Sequence, residues 1–442
     1  MIPVSHIFDQ SILAALLDHD PVVQEYRAFF SLIDWSLVDR WERCQSSHRR
    51  PPLHPESAYI KAFLLRIREG LLYSTQLRQF LLKHPLLIID FGFHLVLDPQ
   101  APYGIDAYRT LPSRFWLGKK LRLLDQSLLQ QMLEATVSAL QAQIPGLGET
   151  VAFDVKHIYA WVKENNMRAY VKERFNKDQI LVGDPDCTLG VKRSTNQEQE
   201  DGSSKEKKEF LWGYGSGVAA ATTPDYGDVV LAEYTQPFNE GDITYFRPLS
   251  HRTALALQHF PTHITADAAF DAWYVYEAAV RHGGIAAVPL NQHGHLVYER
   301  ASDGVPLCPK KLRMQPTYQF DHTYGYRAQR FRCPLLFPHA TGEGCDHGQF
   351  VKGKGCVKDV NWEKGALMRV TLNRESPLYK AIYTQRTSCE RINSQAKELG
   401  IERPKVHNRR SVANLNTLTY VIINVRALSR AISINRGLLP MI

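Results

Sequence analysis

The chain has 442 residues, 44% hydrophobic and 22% charged, with a formal net charge of +8 and a pI near 9.0. That length exceeds one ordinary core and predicts two or three domains of globular composition. No basic region precedes an apolar core at the N-terminus, and the longest apolar runs, Val151–Val162 and Leu418–Val425, are too short for a bilayer, so neither a signal peptide nor a membrane span is expected. Seven cysteines without a secretion signal point to a reducing cytoplasm, with thiols free or ligating metal, and exclude a disulfide framework.

Residues 1–150 read as mostly helical. Tyr59, Phe63, Leu64, Ile67, Leu71 and Leu72 recur near helical spacing after the basic, proline-rich HRRPPLHPES. A second helix is expected over Ser74–Lys83, ended by Pro85, and an amphipathic helix around Leu124–Leu140. Basic residues bracket these units, including Lys119, Lys120 and Arg122. The pattern suits a helical module gripping DNA phosphates, and equally an ordinary helical domain with a solvated basic surface.

Val151 opens a different regime. VAFDVKHIYAWV reads as a strand holding a single acid, Asp154, which is unfavourable there unless paired or metal-bound. Ser194–Glu209 is almost devoid of apolar residues and reads as a flexible surface loop. Phe210–Thr223 and Asp228–Thr235 follow as strands joined by a PDYG turn. Thr262–Leu290 is a β–α–β pattern: a strand ending in Asp267, a helix over Asp271–His282 closed by two glycines, and a returning strand, Ile285–Leu290. Residues 291–366 carry four cysteines and many turn clusters, and read as a β-rich insertion. Leu367–Leu372 is expected to resume as a strand. A helix with Tyr383, Arg386, Glu390 and Lys397 comes next, then a basic loop over Glu402–Arg410. A final amphipathic helix, Ser411–Ile432, would turn Leu415, Leu418, Ile422 and Val425 inward.

On one continuous helix Tyr383, Arg386, Glu390 and Lys397 would fall within about 60° of one another. Such a stripe is a solvated, ion-paired face, or a carboxylate flanked by cations suited to a divalent ion beside a phosphate. Asp154 and Asp267 complete a hard oxygen set with Glu390, suited to Mg²⁺ or Mn²⁺; two such ions could clamp a scissile phosphate. For any one of these acids a structural ion pair is the alternative.

These residues resemble the DDE transposases of bacterial insertion sequences, in the branch with a tyrosine–arginine–glutamate–lysine signature. Tyr-x2-Arg-x3-Glu-x6-Lys is met by Tyr383, Arg386, Glu390 and Lys397, ADAAFD at Ala266–Asp271 resembles the second aspartate motif, and the first aspartate falls to Asp154. There the family more often carries a small residue and a threonine where this chain has Val155 and Lys156. RPPLHPESAYIKAFLLRIREGLLYSTQLRQFL resembles the helical N-terminal module of such enzymes.

The resemblance implies an α/β, ribonuclease H-like catalytic core (151–290 and 367–442), interrupted by the β-rich insertion (291–366) and preceded by an all-helical, DNA-binding N-terminal domain (1–150). It implies Asp154, Asp267 and Glu390 as catalytic ligands of two Mg²⁺ or Mn²⁺ ions, and Tyr383, Arg386 and Lys397 as phosphate-holding groups. It further implies cleavage and strand transfer at terminal inverted repeats, a target DNA, a homodimer on DNA, and a cytoplasmic, nucleoid-associated location. A nuclease on the same core, and a domesticated DNA-binding protein without catalysis, are the competing readings.

Weaker signals remain. Cys333, Cys345, His347 and Cys356, with Cys308 upstream, could bind Zn²⁺ or be free thiols, since no close Cys-x2-Cys pair is present. Asp271 is expected to cap its helix, or else to support Asp267. Trp212, Trp273 and Trp362 are core or rim aromatics, or stack on an extruded base. Lys156 and His157 are strand-surface groups, or touch phosphate.

Overall fold

The computed structural model describes residues 10–45, 53–194, 207–291 and 299–439. It is a mixed α/β structure with a helical N-terminal region. The described strands are β1 (Thr150–Tyr159), β2 (Thr188–Ser194), β3 (Lys207–Thr223), β4 (Gly227–Pro237), β5 (His263–Ala266), β6 (Ala286–Ala287), β7 (Gln315–His322), β8 (Tyr326–Arg332) and β9 (Val357–Asn361). The chain divides into two compact units. The first holds residues 1–148, 154–259 and 388–442, and the second 149–153 and 260–387.

In the first unit, capping residues set the N-terminal helices. Asp20 accepts from the Val23 amide ahead of Pro21–Phe30, Ser113 caps Arg114–Leu123, and Asp125 caps Gln126–Gln141. Pro85 follows the end of Ser74–Lys83, as expected, but also starts a further short helix, Pro85–Asp90. At a first helical position proline loses no hydrogen bond. β2 pairs antiparallel with residues 188–194 opposite 207–213 of β3, and β4 pairs with residues 214–223 of β3. Ser194 and Lys207–Glu209 therefore belong to strands and not to the expected loop, the rest of which, 195–206, lies outside the described residues. β1 is the other neighbour of β3. Gly215 and Gly217 let Tyr245 lie close against β3, since a Cβ at Gly215 would come within 2.0 Å of its hydroxyl and one at Gly217 within 2.5 Å of a ring carbon.

The last helix, Arg409–Asn435, runs 27 residues, longer than the expected span. It buries more than one face: every residue from Leu415 to Val425 is buried. It packs on Glu56–Arg68, Arg114–Leu123, Gln126–Gln141 and β4. Several polar groups on this buried helix are matched individually, although the Oδ1 atoms of Asn414 and Asn416 have no hydrogen-bond partner among the described residues. Asn424 accepts from the Val230 amide at 2.9 Å and donates to the Val230 carbonyl at 2.7 Å, while Asn414 donates to the Leu121 carbonyl at 2.7 Å.

In the second unit, β1, β5 and β6 are neighbours and parallel, with the helix Trp273–Arg281 between β5 and β6. A separate antiparallel sheet, β7–β8–β9, has its own small core around Phe331, Cys333, Cys356 and Val360. The expected strand at Leu367–Leu372 is instead mostly helix, Lys364–Thr371. Its β-branched residues suggest a strand in isolation, but tertiary packing on Trp273–Arg281 decides otherwise. Gly365 permits the close approach: a Cβ there would lie 2.2 Å from the Glu277 nitrogen, and its own amide donates to Glu277 Oε2 at 2.6 Å.

Candidate active site

The signature residues do not share one helix. Pro377–Thr384 ends at Gln385, and Thr387–Glu398 begins anew after Arg386. The division between units falls at 387/388, so Tyr383 and Arg386 belong to the second unit, and Glu390 and Lys397 to the first. The single-helix stripe expected from their spacing is thereby corrected. No glycine or proline marks the break, which is why spacing alone missed it.

In the first unit, Thr387–Glu398 presses Cys389, Ile392 and Ala396 inward, with the Cys389 thiol 4.0 Å from the Val218 carbonyl of β3. Arg391 anchors the outer side by a double hydrogen bond to Asp228, both at 2.6 Å. Glu390, beside it, is exposed. Three residues on, Asn393 donates from Nδ2 to Asp154 Oδ2 at 2.9 Å, while its Oδ1 is buried without a hydrogen-bond partner. The helix carrying Glu390 is thus tied to the acid of β1. Nothing in the local sequence announces Asn393; its place three residues after an acid, one helical turn on, was the only available cue.

Lys397 and Lys156 both pair with Glu402, at 3.7 Å and 3.3 Å. Burial opposes ionisation of Glu402, yet Lys156, Lys397 and Lys192 together hold its carboxyl below the ordinary range. His157 packs edge-on to Phe238 at 4.4 Å, and burial, with Lys192 and Lys156 nearby, lowers it to about 4, so it is neutral at pH 7.

In the second unit, Asp267 ends β5 and accepts from the Ala269 amide at 2.9 Å. Burial raises its carboxyl, against the opposing pull of that amide and of the Arg386 guanidinium. Arg386 lies over the ring of Tyr383 at 5.7 Å, and Tyr383 stacks on Tyr379 at 5.8 Å. β1 and β5 run in register, with Phe153 opposite Ala266; Asp154 and Asp267 are the residues that follow these two in sequence.

Asp271 does not cap the helix Trp273–Arg281, whose N-cap is Ala272. Its fully buried carboxylate instead takes two hydrogen bonds from Arg369, at 2.7 Å and 2.5 Å, one from the Tyr276 hydroxyl at 3.0 Å and one from the Asn291 amide at 2.8 Å. Trp212 is buried, its indole donating to the Arg174 carbonyl at 2.8 Å. Trp362 packs against Phe331.

Among the described residues, no three His, Cys, Asp or Glu side chains converge as a metal-holding group, which applies to the three acids and to the cysteine set alike. Cys308, Cys333 and Cys356 are buried in one apolar cluster with Cys345 at its margin. Burial, followed by the neighbouring Cys333, pushes the Cys356 thiol up to about 11. His347 stands at the N-cap of the short helix Gly348–Val351. The donor chemistry of Asp154, Asp267 and Glu390 suits a hard divalent ion, and the unsatisfied Asn393 Oδ1 beside Asp154 is a polar atom left over for such a group's surroundings.

No described helix is long and apolar enough to cross a membrane. No curated protein and no solved structure matches the chain. A family model described as "Transposase DDE domain" matches residues 186–425, more than half of the chain.

Proposed function

The chain belongs to the transposase DDE-domain family, and on that premise we propose that it cuts and joins DNA at the ends of an insertion sequence, using a ribonuclease H-like core. Asp154, Asp267 and Glu390 are its catalytic acids. The observation that carries this reading is the in-register parallel pairing that stops at Phe153 and Ala266, one residue short of the two aspartates. Support also comes from Asn393, which links the helix of Glu390 to Asp154.

The three acids would hold two Mg²⁺ or Mn²⁺ ions, which supply positive charge to both oxygens of an in-line displacement at phosphorus. Asn393 is a positioning residue: its amide fixes one oxygen of Asp154. Arg386, held over Tyr383, offers a planar fork to non-bridging phosphate oxygens, and Lys397 offers a point charge. In the first step water attacks a phosphodiester and frees a 3′-hydroxyl. In the second, that hydroxyl attacks a target phosphodiester, displacing another 3′-oxygen. Residues 1–150 serve as the DNA-binding domain, residues 291–366 as an insertion within the core, and two copies act together on paired ends.

The test is cleavage of terminal-repeat DNA in Mg²⁺. Asp267→Ala and Glu390→Ala are expected to abolish cleavage and preserve DNA binding; normal cleavage by both would refute the site. Joined strand-transfer products separate a transposase from a nuclease on the same core.

A further inference from the structure

The β7–β8 hairpin carries a row of aromatic rings that the reaction above does not use. Tyr318, Phe320 and His322 share one face of β7, with ring centroids 6.0 Å and 6.4 Å apart along the strand. Across the turn, Tyr326 stands opposite His322 and stacks on it at 4.6 Å and 7°. Trp273, at the start of its helix, meets Tyr326 edge-on at 6.2 Å. Tyr324 adds a further ring 5.1 Å from His322. Cross-strand ladders of this kind ordinarily stabilise a hairpin by hiding ring faces. Here Tyr324 is 81% exposed and Tyr318 49% exposed.

Charge identifies the occupant. Residues 308–332 hold six lysines and arginines against a single acid, Asp321; Lys311, Arg313 and Arg330 pair with Glu299, Asp303 and Asp359, and Lys310, Arg327 and Arg332 carry the remaining positive charge. Arg330, paired with Asp359, lies over both Tyr318 and Phe320, at 5.3 Å and 5.7 Å, presenting a guanidinium plane in the same row. At its other end the row reaches a cavity of about 900 Å³ lined by Trp273, Tyr326, Arg300 and Arg369, with Glu299 and the Arg369-paired Asp271 also on its wall. A flat partner of negative charge fits such a surface. The centroid spacing is nearly twice the 3.4 Å rise of a strand in duplex DNA, so bases lying on these rings are unstacked from one another.

We propose that this hairpin is a stacking platform for the unpaired bases of a single DNA strand, with Arg330 as part of the stack. Rings accept any base face, so the contact is tolerant of sequence, while the basic margin tracks the backbone. The proposal deepens the reading of DNA as substrate and rests on it only for the identity of the strand.

The experiment uses the full chain and two probes: terminal-repeat duplex with a single-stranded tail carrying 2-aminopurine, and oligothymidylate of no special sequence. Wild-type protein is expected to quench the 2-aminopurine. Tyr318→Ala/Phe320→Ala is expected to lose the quench and to bind oligothymidylate at least about tenfold more weakly, with blunt-duplex affinity and unfolding midpoint unchanged. Tyr318→Phe, which keeps the ring, is expected to match wild type. Equal binding of oligothymidylate by the alanine variant and wild type, or failure of wild type to quench, overturns the proposal. Ring-dependent binding of oligothymidylate without cleavage of terminal repeats would sustain the platform and refute the transposase reading, so the two fail separately.

Discussion

Replacing Asn393 with alanine removes a side-chain hydrogen bond that joins the Glu390 helix to Asp154, Nδ2 to Oδ2 at 2.9 Å. A hydrogen bond to an ionised carboxylate contributes about 1.5–3 kcal/mol. If that energy orients the carboxylate for an ion, its loss should weaken Mn²⁺ binding roughly 10- to 100-fold, the range typical of groups that support metal ligands. Stability should change far less, because the same amide leaves its Oδ1 buried and unsatisfied in the native fold and alanine removes that cost as well. Titration calorimetry with Mn²⁺, beside a urea unfolding curve, reads the two effects separately. Asn393→Asp sharpens the test. It sets a second carboxylate at hydrogen-bond distance from Asp154, and two such groups retain a proton between them. Its ion affinity should therefore fall most at acid pH and recover as pH rises. Mn²⁺ affinity within twofold of wild type for Asn393→Ala would refute the reasoning, as would a loss of stability equal to the loss of affinity.

Two further outcomes are expected. Arg369→Met strands the buried carboxylate of Asp271 with only the Tyr276 hydroxyl and the Asn291 amide; it should destabilise the second unit by about 3–5 kcal/mol. Asp271→Asn in the same chain should restore more than half of that, read by hydrogen exchange over residues 260–387, and a loss under about 1 kcal/mol would contradict the burial argument. His54, 1% exposed, accepts from the His94 amide at 3.1 Å, and burial, reinforced by His94, lowers it from 6.5 to about 4. Between those values the unfolded chain takes up a proton that the folded chain refuses. Stability should therefore be full above pH 6.5 and fall by about 3 kcal/mol as pH drops toward 4. His54→Phe should flatten that slope in chemical denaturation run across the range.

What the sequence disclosed was local. The β–α–β unit at His263–Ala287 was legible because its strand and helix periods switch within a few residues and two glycines close the helix. The hairpin strands β3 and β4 announced themselves through a turn of the right chemistry. What stayed hidden depended on distant partners. Leu367–Thr371 reads as β-branched, yet it is helical because Gly365 lets it close on Glu277, 88 positions earlier. Asp271 looked like a cap until Arg369, 98 positions later, was seen to hold it. The break at Gln385–Arg386 has no proline or glycine to mark it, and the four signature residues keep a helical spacing that the chain does not follow. Of the candidate site, the acids could be picked out singly, but the amide of Asn393 across 239 positions could not.

The final helix has a consequence for how the protein comes into being. Asn424 bonds Thr136 across 288 positions, and Arg409–Asn435 covers three N-terminal helices and β4. At about 5–20 residues per second, roughly a quarter of a minute to a minute separates synthesis of Gln126–Gln141 from that of its covering helix. Through that interval the N-terminal helices stand on the ribosome with their apolar faces uncovered, in need of chaperones. A chain cut short before Arg409 would never bury them. Translation through Asn435 thus acts as a checkpoint, and chains that stop before this helix yield material for proteolysis, not partial enzymes.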